Sequence, residues 1–122
     1  MTEKADKISE GLFDLSLTII RFSSKLNYSS EQRIIKDQML RSGTSAGANY
    51  EEARGAQSRA DFIHKLHIVY KELRETNYWL RLLKGIECRI DVEDIDKAIE
   101  KSETLTKIIA KSIITLKNNV KK

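Results

Sequence analysis

The chain has 122 residues, of which 40% are hydrophobic and 33% are charged, and its formal net charge is +4 at pH 7. This length fits one domain over residues 1–122 that buries roughly two-thirds of the surface exposed by its unfolded chain. The basic excess is too small to indicate nucleic-acid binding by itself. With no proline and five glycines, the chain has few helix breakers, which favours a small number of long helices.

The cellular compartment is indicated by the single cysteine and the polar start of the chain. Cys88 has no intrachain disulfide partner, which fits a reducing compartment. The opening residues MTEKADKISEG lack the apolar core of a signal peptide, and no apolar run reaches the length of a membrane span. We therefore expect a cytoplasmic protein without a membrane partner.

The first predicted helix has apolar residues spaced alternately four and three apart, which is typical of a helix with one buried face. These residues are Ile8, Leu12, Leu15, Ile19, Phe22 and Leu26. Phe13, Leu17 and Ile20 are expected to widen the same stripe. A short link follows, in which Ser29 or Ser30 can cap a second helix that begins near Glu31.

The second helix is predicted from Glu31 to Arg54 and contains a run of small residues. Within Ser42–Ala48 no residue is larger than threonine. Gly43 and Gly47 each cost a helix about 1 kcal/mol relative to alanine, so we interpret them as sites where another helix approaches closely. The third helix, with long side chains from Phe62 to Leu83, is the expected neighbour. The alternative is a helix that is simply weak or bent here.

The remaining helices are marked by caps and apolar stripes. Gly55 is expected to end the second helix in a left-handed conformation, and Ser58 with Asp61 resembles a capping box. The third helix should end at Gly85, and Asp91 should cap the fourth. Their buried stripes are predicted to be Phe62, Leu66, Val69, Leu73, Thr76, Leu80 and Leu83, and Ile95, Ile99, Ser102, Leu105, Ile109, Ile113 and Leu116. Short links between four helices predict an all-α, antiparallel up-down four-helix bundle.

The central third of the chain contains several features in a familiar order and spacing. They are Leu40-Arg41-Ser42 with the small residues to Ala48, Asn49-Tyr50 with Glu52-Ala53, Ser58 with Asp61-Phe62, and Glu72 with Glu75. This stretch resembles the four-helix-bundle family named after the 23S ribosomal RNA intervening-sequence proteins. The resemblance implies a left-handed bundle that assembles into a ring-shaped homopentamer. It also implies an association with RNA that rests on gene context and not on a defined activity.

Polar residues of the second and third helices are predicted to form a structural network. Its members are Arg41, Asn49, Glu52, Glu72 and Glu75. Arg41 and Glu52 lie along one helical line, beside the face that should meet the third helix. Buried carboxylate–guanidinium pairs fix register more than they add stability. A substrate site is the alternative, but no pocket-forming loop accompanies these carboxylates.

The side of the third helix opposite its core stripe is basic and aromatic. Cations among aromatic rings can bind phosphates and stack on bases, so Lys71, Arg74, Tyr78, Arg81 and Lys84 are candidate nucleic-acid-binding residues. An ordinary solvated face is the plain alternative. Ile68, Trp79 and Leu82 flank this face and are candidates for a subunit interface, where tryptophan, tyrosine and arginine are enriched.

The end of the chain is also basic. Five lysines and no acid follow Glu103, namely Lys107, Lys111, Lys117, Lys121 and Lys122. They could extend an RNA-binding surface. The plain alternative is that cations favour a helix C-terminus and keep the protein soluble.

No residue pattern indicates a catalytic or metal site. His64 and His67 follow Asp61 at helical spacing, but a di-metal bundle needs a second carboxylate–histidine copy, which the chain lacks. We interpret both histidines as surface or interface residues. Cys88 has no histidine pattern nearby to act as an organised base, so we interpret it as a bystander thiol. We expect no catalytic residue, metal or cofactor.

The favoured interpretation is therefore a non-enzymatic, oligomeric binding or scaffold protein. Its expected partners are copies of itself, with five subunits implied by the resemblance, and RNA or a nucleic-acid-associated protein. A purely structural or protein-adaptor oligomer is the alternative, and an enzymatic or metal-binding bundle ranks third.

Overall fold

The computed structural model describes residues 2–121, which form four α-helices and no strand. The helices are α1 (Thr2–Ser23), α2 (Ser30–Arg54), α3 (Arg59–Gly85) and α4 (Val92–Lys121). Their number and boundaries agree with the prediction to within a residue where a boundary was predicted, and the all-α fold is confirmed. None of the helices in the described part of the chain combines the length and apolar character needed to cross a membrane.

The ends of the helices show which capping predictions are correct. Ser29 Oγ accepts a hydrogen bond from the Gln32 backbone N–H at 3.1 Å, and Ser58 Oγ accepts one from Asp61 at 3.0 Å. Both serines are therefore N-caps. The left-handed conformation predicted for Gly55 is wrong, because its φ is −98°. Its N–H donates a hydrogen bond to the Glu52 carbonyl at 3.0 Å. This bond closes a tight turn that does not require glycine.

The core consists of one apolar stripe from each helix. All six stripe residues predicted for the first helix are buried, although Leu26 lies beyond the end of α1 at Ser23. Six of the seven predicted for α3 are also buried, with Phe62 partly buried. The expected widening of the α1 stripe is wrong at two positions, because Phe13 is 67% exposed and Ile20 is also exposed. Since α1 contacts only α2 and α4 in the described part of the chain, a narrow stripe is enough to fill both contacts.

Each helix packs against two others. Helix α2 lies between α1 and α3, and α4 contacts both α3 and α1. Hydrogen bonds cross these contacts: Ser16 Oγ donates to the Gly43 carbonyl at 2.9 Å, and Thr76 Oγ1 donates to Ser42 Oγ at 2.9 Å. Ser42 and Thr76 are fully buried, so their hydroxyls satisfy each other inside the core.

The small-residue run of α2 packs closely, but its glycines face a different helix from the one predicted. A Cβ placed on Gly43 would overlap Ile19 Cδ1 of α1. At Gly47 a Cβ would lie 3.6 Å from the Leu12 Cβ, also of α1. The expectation that α3 approaches these glycines is therefore wrong. Successive helix positions are rotated by about 100°, so Ser42 faces α3 while its neighbour Gly43 faces α1.

Candidate functional site

An ion pair joins α2 to α3 at the surface. The Arg41 guanidinium lies 3.5 Å from Glu72 Oε1 and donates a hydrogen bond to Glu75 Oε2. The same Glu75 oxygen accepts a hydrogen bond from Trp79 Nε1 at 3.0 Å. The side chains of Arg41 and Glu75 are 50% and 34% exposed, so the pair contributes at most about 1 kcal/mol. Its effect is to fix the positions of the guanidinium and the indole.

The other two members of the predicted polar network are bound elsewhere. Asn49 Nδ2 donates to the Ser45 carbonyl at 2.9 Å, within α2. Glu52 accepts a hydrogen bond from Lys65 Nζ at 2.8 Å, and this bond raises the pKa of Lys65. The structure therefore brings together Arg41, Glu72 and Glu75 and separates Asn49 and Glu52. Asn49 and Glu52 lie about 12 Å or more along α2 from Arg41, too far for their side chains to join Arg41, Glu72 and Glu75.

The predicted nucleic-acid-binding residues form an exposed strip along α3, which we call the α3 strip: Lys71, Arg74, Tyr78, Arg81 and Lys84. Arg74 Nη1 donates to the Tyr70 hydroxyl at 3.3 Å, and its guanidinium lies 5.9 Å from the centre of that ring. Arg81 lies 5.9 Å from the Tyr78 ring centre and donates to Asn77 Oδ1 at 2.9 Å. These groups hold the two arginines without neutralising them.

The lysines of the α3 strip differ from each other. Lys84 Nζ lies 2.8 Å from Asp96 Oδ1 of α4, with both side chains about half exposed. Lys71 is exposed and takes part in none of the ion pairs among the described residues. The positive charge of the α3 strip therefore comes mainly from Lys71, Arg74 and Arg81, with Lys84 offset by its carboxylate partner.

The residues predicted for a subunit interface lie beside the α3 strip and form what we call the apolar edge: Ile68, Trp79 and Leu82. Ile68 and Trp79 are partly buried, whereas Leu82 is exposed. The Trp79 ring packs partly against the core and meets Tyr78 edge-on, with ring centres 5.1 Å apart. Trp79 is therefore shared between the core and the surface.

The remaining candidates from the sequence are dispersed. Lys107, Lys111 and Lys117 are exposed on α4, whereas Lys122 and the side chain of Lys121 lie outside the described residues. His64 and His67 are exposed. Cys88 is half-buried, with its Sγ 4.0 Å from the Ile90 carbonyl. Over residues 2–121 the structure contains no group of three or more His, Cys, Asp or Glu side chains that could hold a metal ion.

An open groove of about 420 Å³ lies between α1 and α2. It is lined by Ser9, Glu10, Phe13, Asp14 and Glu51. Its three carboxylates disfavour a phosphate ligand, so the groove is not a candidate for nucleic acid.

A second basic and aromatic group, absent from the sequence prediction, lies where the α1–α2 and α3–α4 connectors meet. The Arg89 guanidinium stands 4.3 Å from the Tyr28 ring centre. Gln32 links the same connectors, because its Nε2 donates to the Glu87 carbonyl at 3.0 Å. Tyr28 and Arg89 are far apart in the chain, so no local sequence pattern could have indicated their contact.

Comparisons with known proteins agree with this architecture. Residues 6–111 match the family model described as 23S rRNA-intervening sequence protein. The chain is also similar to the crystal structure of a protein of unknown function from the S23 ribosomal protein family of Bacteroides thetaiotaomicron VPI-5482, with 38% identity and a TM-score of 0.79. That similarity covers 87% of this chain and 97% of the other. A search of curated proteins found no match.

The family match extends the resemblance of the central stretch to most of the chain. The matched residues include Arg41, Glu72 and Glu75, the α3 strip and the greater part of α1 and α4. The chain therefore belongs to the 23S rRNA-intervening sequence protein family.

Proposed function

We propose that this protein is a non-enzymatic binding and scaffold protein of the cytoplasm, which assembles with copies of itself and binds RNA through the α3 strip. The proposal rests on how Arg74 and Arg81 are presented. Each guanidinium lies against a tyrosine ring and hydrogen-bonds to a neutral group, so its charge remains available to a phosphate. The family name, 23S rRNA-intervening sequence protein, supports an RNA partner.

The proposal includes an antiparallel, left-handed up-down bundle. Contacts between α1 and α2 pair the late part of one with the early part of the other, since Arg54 bonds to Asp6 while Ser16 bonds to Gly43. The connectors are short, which favours antiparallel neighbours. This arrangement would display the α3 strip as one continuous line on the outside of the bundle.

Self-assembly is part of the proposal because one subunit has little excess charge. The chain has 22 basic and 18 acidic residues, so a single α3 strip would bind RNA weakly. Several strips on one rigid ring would act together and raise the overall affinity. The apolar edge, with Leu82 exposed and Trp79 half-buried, supplies the surface for a homo-oligomer, for which the family resemblance suggests five subunits.

The second candidate function is a protein-adaptor oligomer without a nucleic-acid role. It is favoured by the apolar edge, because tryptophan beside tyrosine and arginine is typical of protein interfaces. In that case Arg74 and Arg81 would contact a protein and not a phosphate.

The two functions are distinguished by RNA binding at different salt concentrations. We would measure fluorescence anisotropy of a labelled oligouridine with the intact protein and with the Arg74→Glu, Arg81→Glu double variant. If each arginine neutralises one phosphate, its loss lowers the slope of log affinity against log salt by about 0.7 per contact. Lys4→Glu with Lys7→Glu changes the charge equally at exposed sites on α1 and serves as the control.

We expect RNA binding that weakens with salt and is abolished by the arginine changes, while light scattering shows an unchanged oligomer. Absence of RNA binding at low salt would favour the adaptor function. Dissociation of the oligomer by the arginine changes would instead place both arginines at a subunit interface.

A further inference from the structure

We infer that Tyr28 and Arg89, with Arg33 and Lys36 beside them, form a second nucleotide site, where one base of a single-stranded RNA stacks on Tyr28. We call this group the connector site. The inference rests on the proposed RNA binding. It adds the form of RNA that is bound and the direction in which the strand leaves the α3 strip.

The Tyr28 ring is placed to stack a base. Arg89 stands 4.3 Å from the ring centre and covers one face, while the side chain is 63% exposed. The opposite face is therefore open to solvent. Aromatic rings backed by arginine are stacking platforms for the bases of single strands, whereas the bases of a duplex are already stacked on each other.

Two further cations, Arg33 and Lys36, are held by neutral oxygen atoms of the residue that precedes Tyr28. Arg33 Nη1 donates to the Asn27 carbonyl at 3.1 Å, and Lys36 Nζ donates to Asn27 Oδ1 at 2.7 Å. Asn27 directly precedes Tyr28 in the chain. No ion pair among the described residues uses Arg33, Lys36 or Arg89, so these cations can contact the phosphates on either side of a stacked base.

The connector site is held together before any ligand binds. The buried Gln32 side chain accepts a hydrogen bond from the Tyr28 N–H at 3.1 Å and donates one to the Glu87 carbonyl at 3.0 Å. These two bonds tie the connector that contains Tyr28 to the connector that contains Arg89. A site ordered in advance loses less conformational freedom on binding.

The connector site lies just beyond the C-terminal end of the α3 strip in the chain. Arg81 and Lys84 lie in the last turns of α3, which ends at Gly85, and Arg89 follows in the connector. A strand that leaves the strip at Lys84 would therefore reach the connector site next. Glu31 and Glu87 are exposed on the same segments, so charge alone gives this end little advantage. Stacking on Tyr28 is what distinguishes it.

The test compares single-stranded oligouridine with an RNA duplex of equal length, by fluorescence anisotropy at one low salt concentration. The loss of one stacked base predicts that Tyr28→Ala weakens single-strand binding by about 5-fold to 150-fold. We expect little change for the duplex and retained binding for Tyr28→Phe. Phe13→Ala removes an aromatic ring of similar exposure from α1 and is the control.

A second pair of variants tests the cations. Arg33→Glu with Lys36→Glu should weaken single-strand binding and lower its salt dependence, while Lys4→Glu with Lys7→Glu should leave both nearly unchanged. Thermal melting and light scattering verify that each variant is folded and assembled.

The outcomes separate this inference from the proposed function. Failure of the intact protein to bind either RNA overturns both. If Arg74→Glu with Arg81→Glu abolishes binding but the Tyr28 and Arg33–Lys36 variants bind like the intact protein, the connector site is overturned and the α3 strip stands. An equal loss for Tyr28→Ala and Phe13→Ala, or an equal loss for single strand and duplex, also overturns it.

Discussion

Replacement of Gly43 by alanine should destabilise the protein, although alanine is the better helix former. The new Cβ would overlap Ile19 Cδ1, and Ile19 is fully buried, with no exposed side to move into. Overpacking of this kind costs about 1–3 kcal/mol. The gain in helix propensity offsets about 1 kcal/mol, so we expect a net loss of up to about 2 kcal/mol.

The matched control is Gly47→Ala, on the same face of α2. Here the added Cβ would lie 3.5 Å from Ser16 Oγ and 3.6 Å from the Leu12 Cβ, which are ordinary contacts. Only the gain in helix propensity remains, so this variant should be more stable than the parent by about 1 kcal/mol. The two glycines should therefore respond to the same substitution with opposite sign.

A second change in α1 tests the cause. Ile19→Val removes the Cδ1 atom that blocks the new methyl group and should by itself cost about 0.5–1.5 kcal/mol. Combined with Gly43→Ala, it leaves room for that methyl group. The double variant should be more stable than the sum of the single effects predicts, with a coupling energy of about 0.5–3 kcal/mol.

Urea unfolding followed by circular dichroism would compare the parent with all four variants at one protein concentration, so that the proposed assembly affects each of them equally. Stabilisation by Gly43→Ala equal to that of Gly47→Ala would refute the close approach of α1. Strict additivity of Gly43→Ala and Ile19→Val would refute the assignment of the clash to Ile19.

Four further predictions follow from the packing and the surface. Gly47→Leu should lower the melting temperature, because its larger side chain would push against α1; an unchanged melting temperature would contradict the contact. If the apolar edge is the subunit interface, Leu82→Glu should dissociate the proposed oligomer in light scattering, whereas Ile114→Glu, at an exposed site on α4, should not. Arg41→Met should cost no more than about 1 kcal/mol in urea unfolding, because the ion pair is half exposed. Burial raises the pKa of Tyr50 above 10.0, so the contribution of neutral Tyr50 to the free energy of unfolding is full below pH 10 and is lost as pH rises through the folded-state pKa. Tyr50→Phe should remove this pH dependence from a series of unfolding curves.

Several parts of the fold that local sequence determines were predicted correctly, although the left-handed Gly55 and the wider α1 stripe were not. Ser29 and Ser58 cap their helices because a serine hydroxyl needs only the next turn of its own chain as a partner. The apolar stripe of α1 was predicted because helical spacing alone selects its residues. The helix that faces Gly43 was predicted wrongly, because a shift of one position along a helix changes the direction of the side chain by about 100°. That rotation is enough to change which neighbouring helix a residue contacts.

The features of the candidate site also divide into those that sequence spacing predicts and those that it does not. The cations of the α3 strip are close in sequence, so their common face could be predicted from spacing. Their partners could not all be predicted, because Lys84 pairs with Asp96 of the next helix. The contact of Tyr28 with Arg89 depends on two connectors meeting in space, which no spacing within either connector indicates.

The hydrogen bonds of Gln32 make the three connectors unequal. They fasten the α1–α2 and α3–α4 connectors to each other, so neither connector can open without losing a buried polar contact. The α2–α3 connector consists of residues 55–58, which are mostly exposed. Cleavage by proteases and tolerance of inserted sequence should therefore concentrate between Gly55 and Ser58. A cut there would leave the α1–α2 and α3–α4 segments still joined through the Gln32 hydrogen bonds.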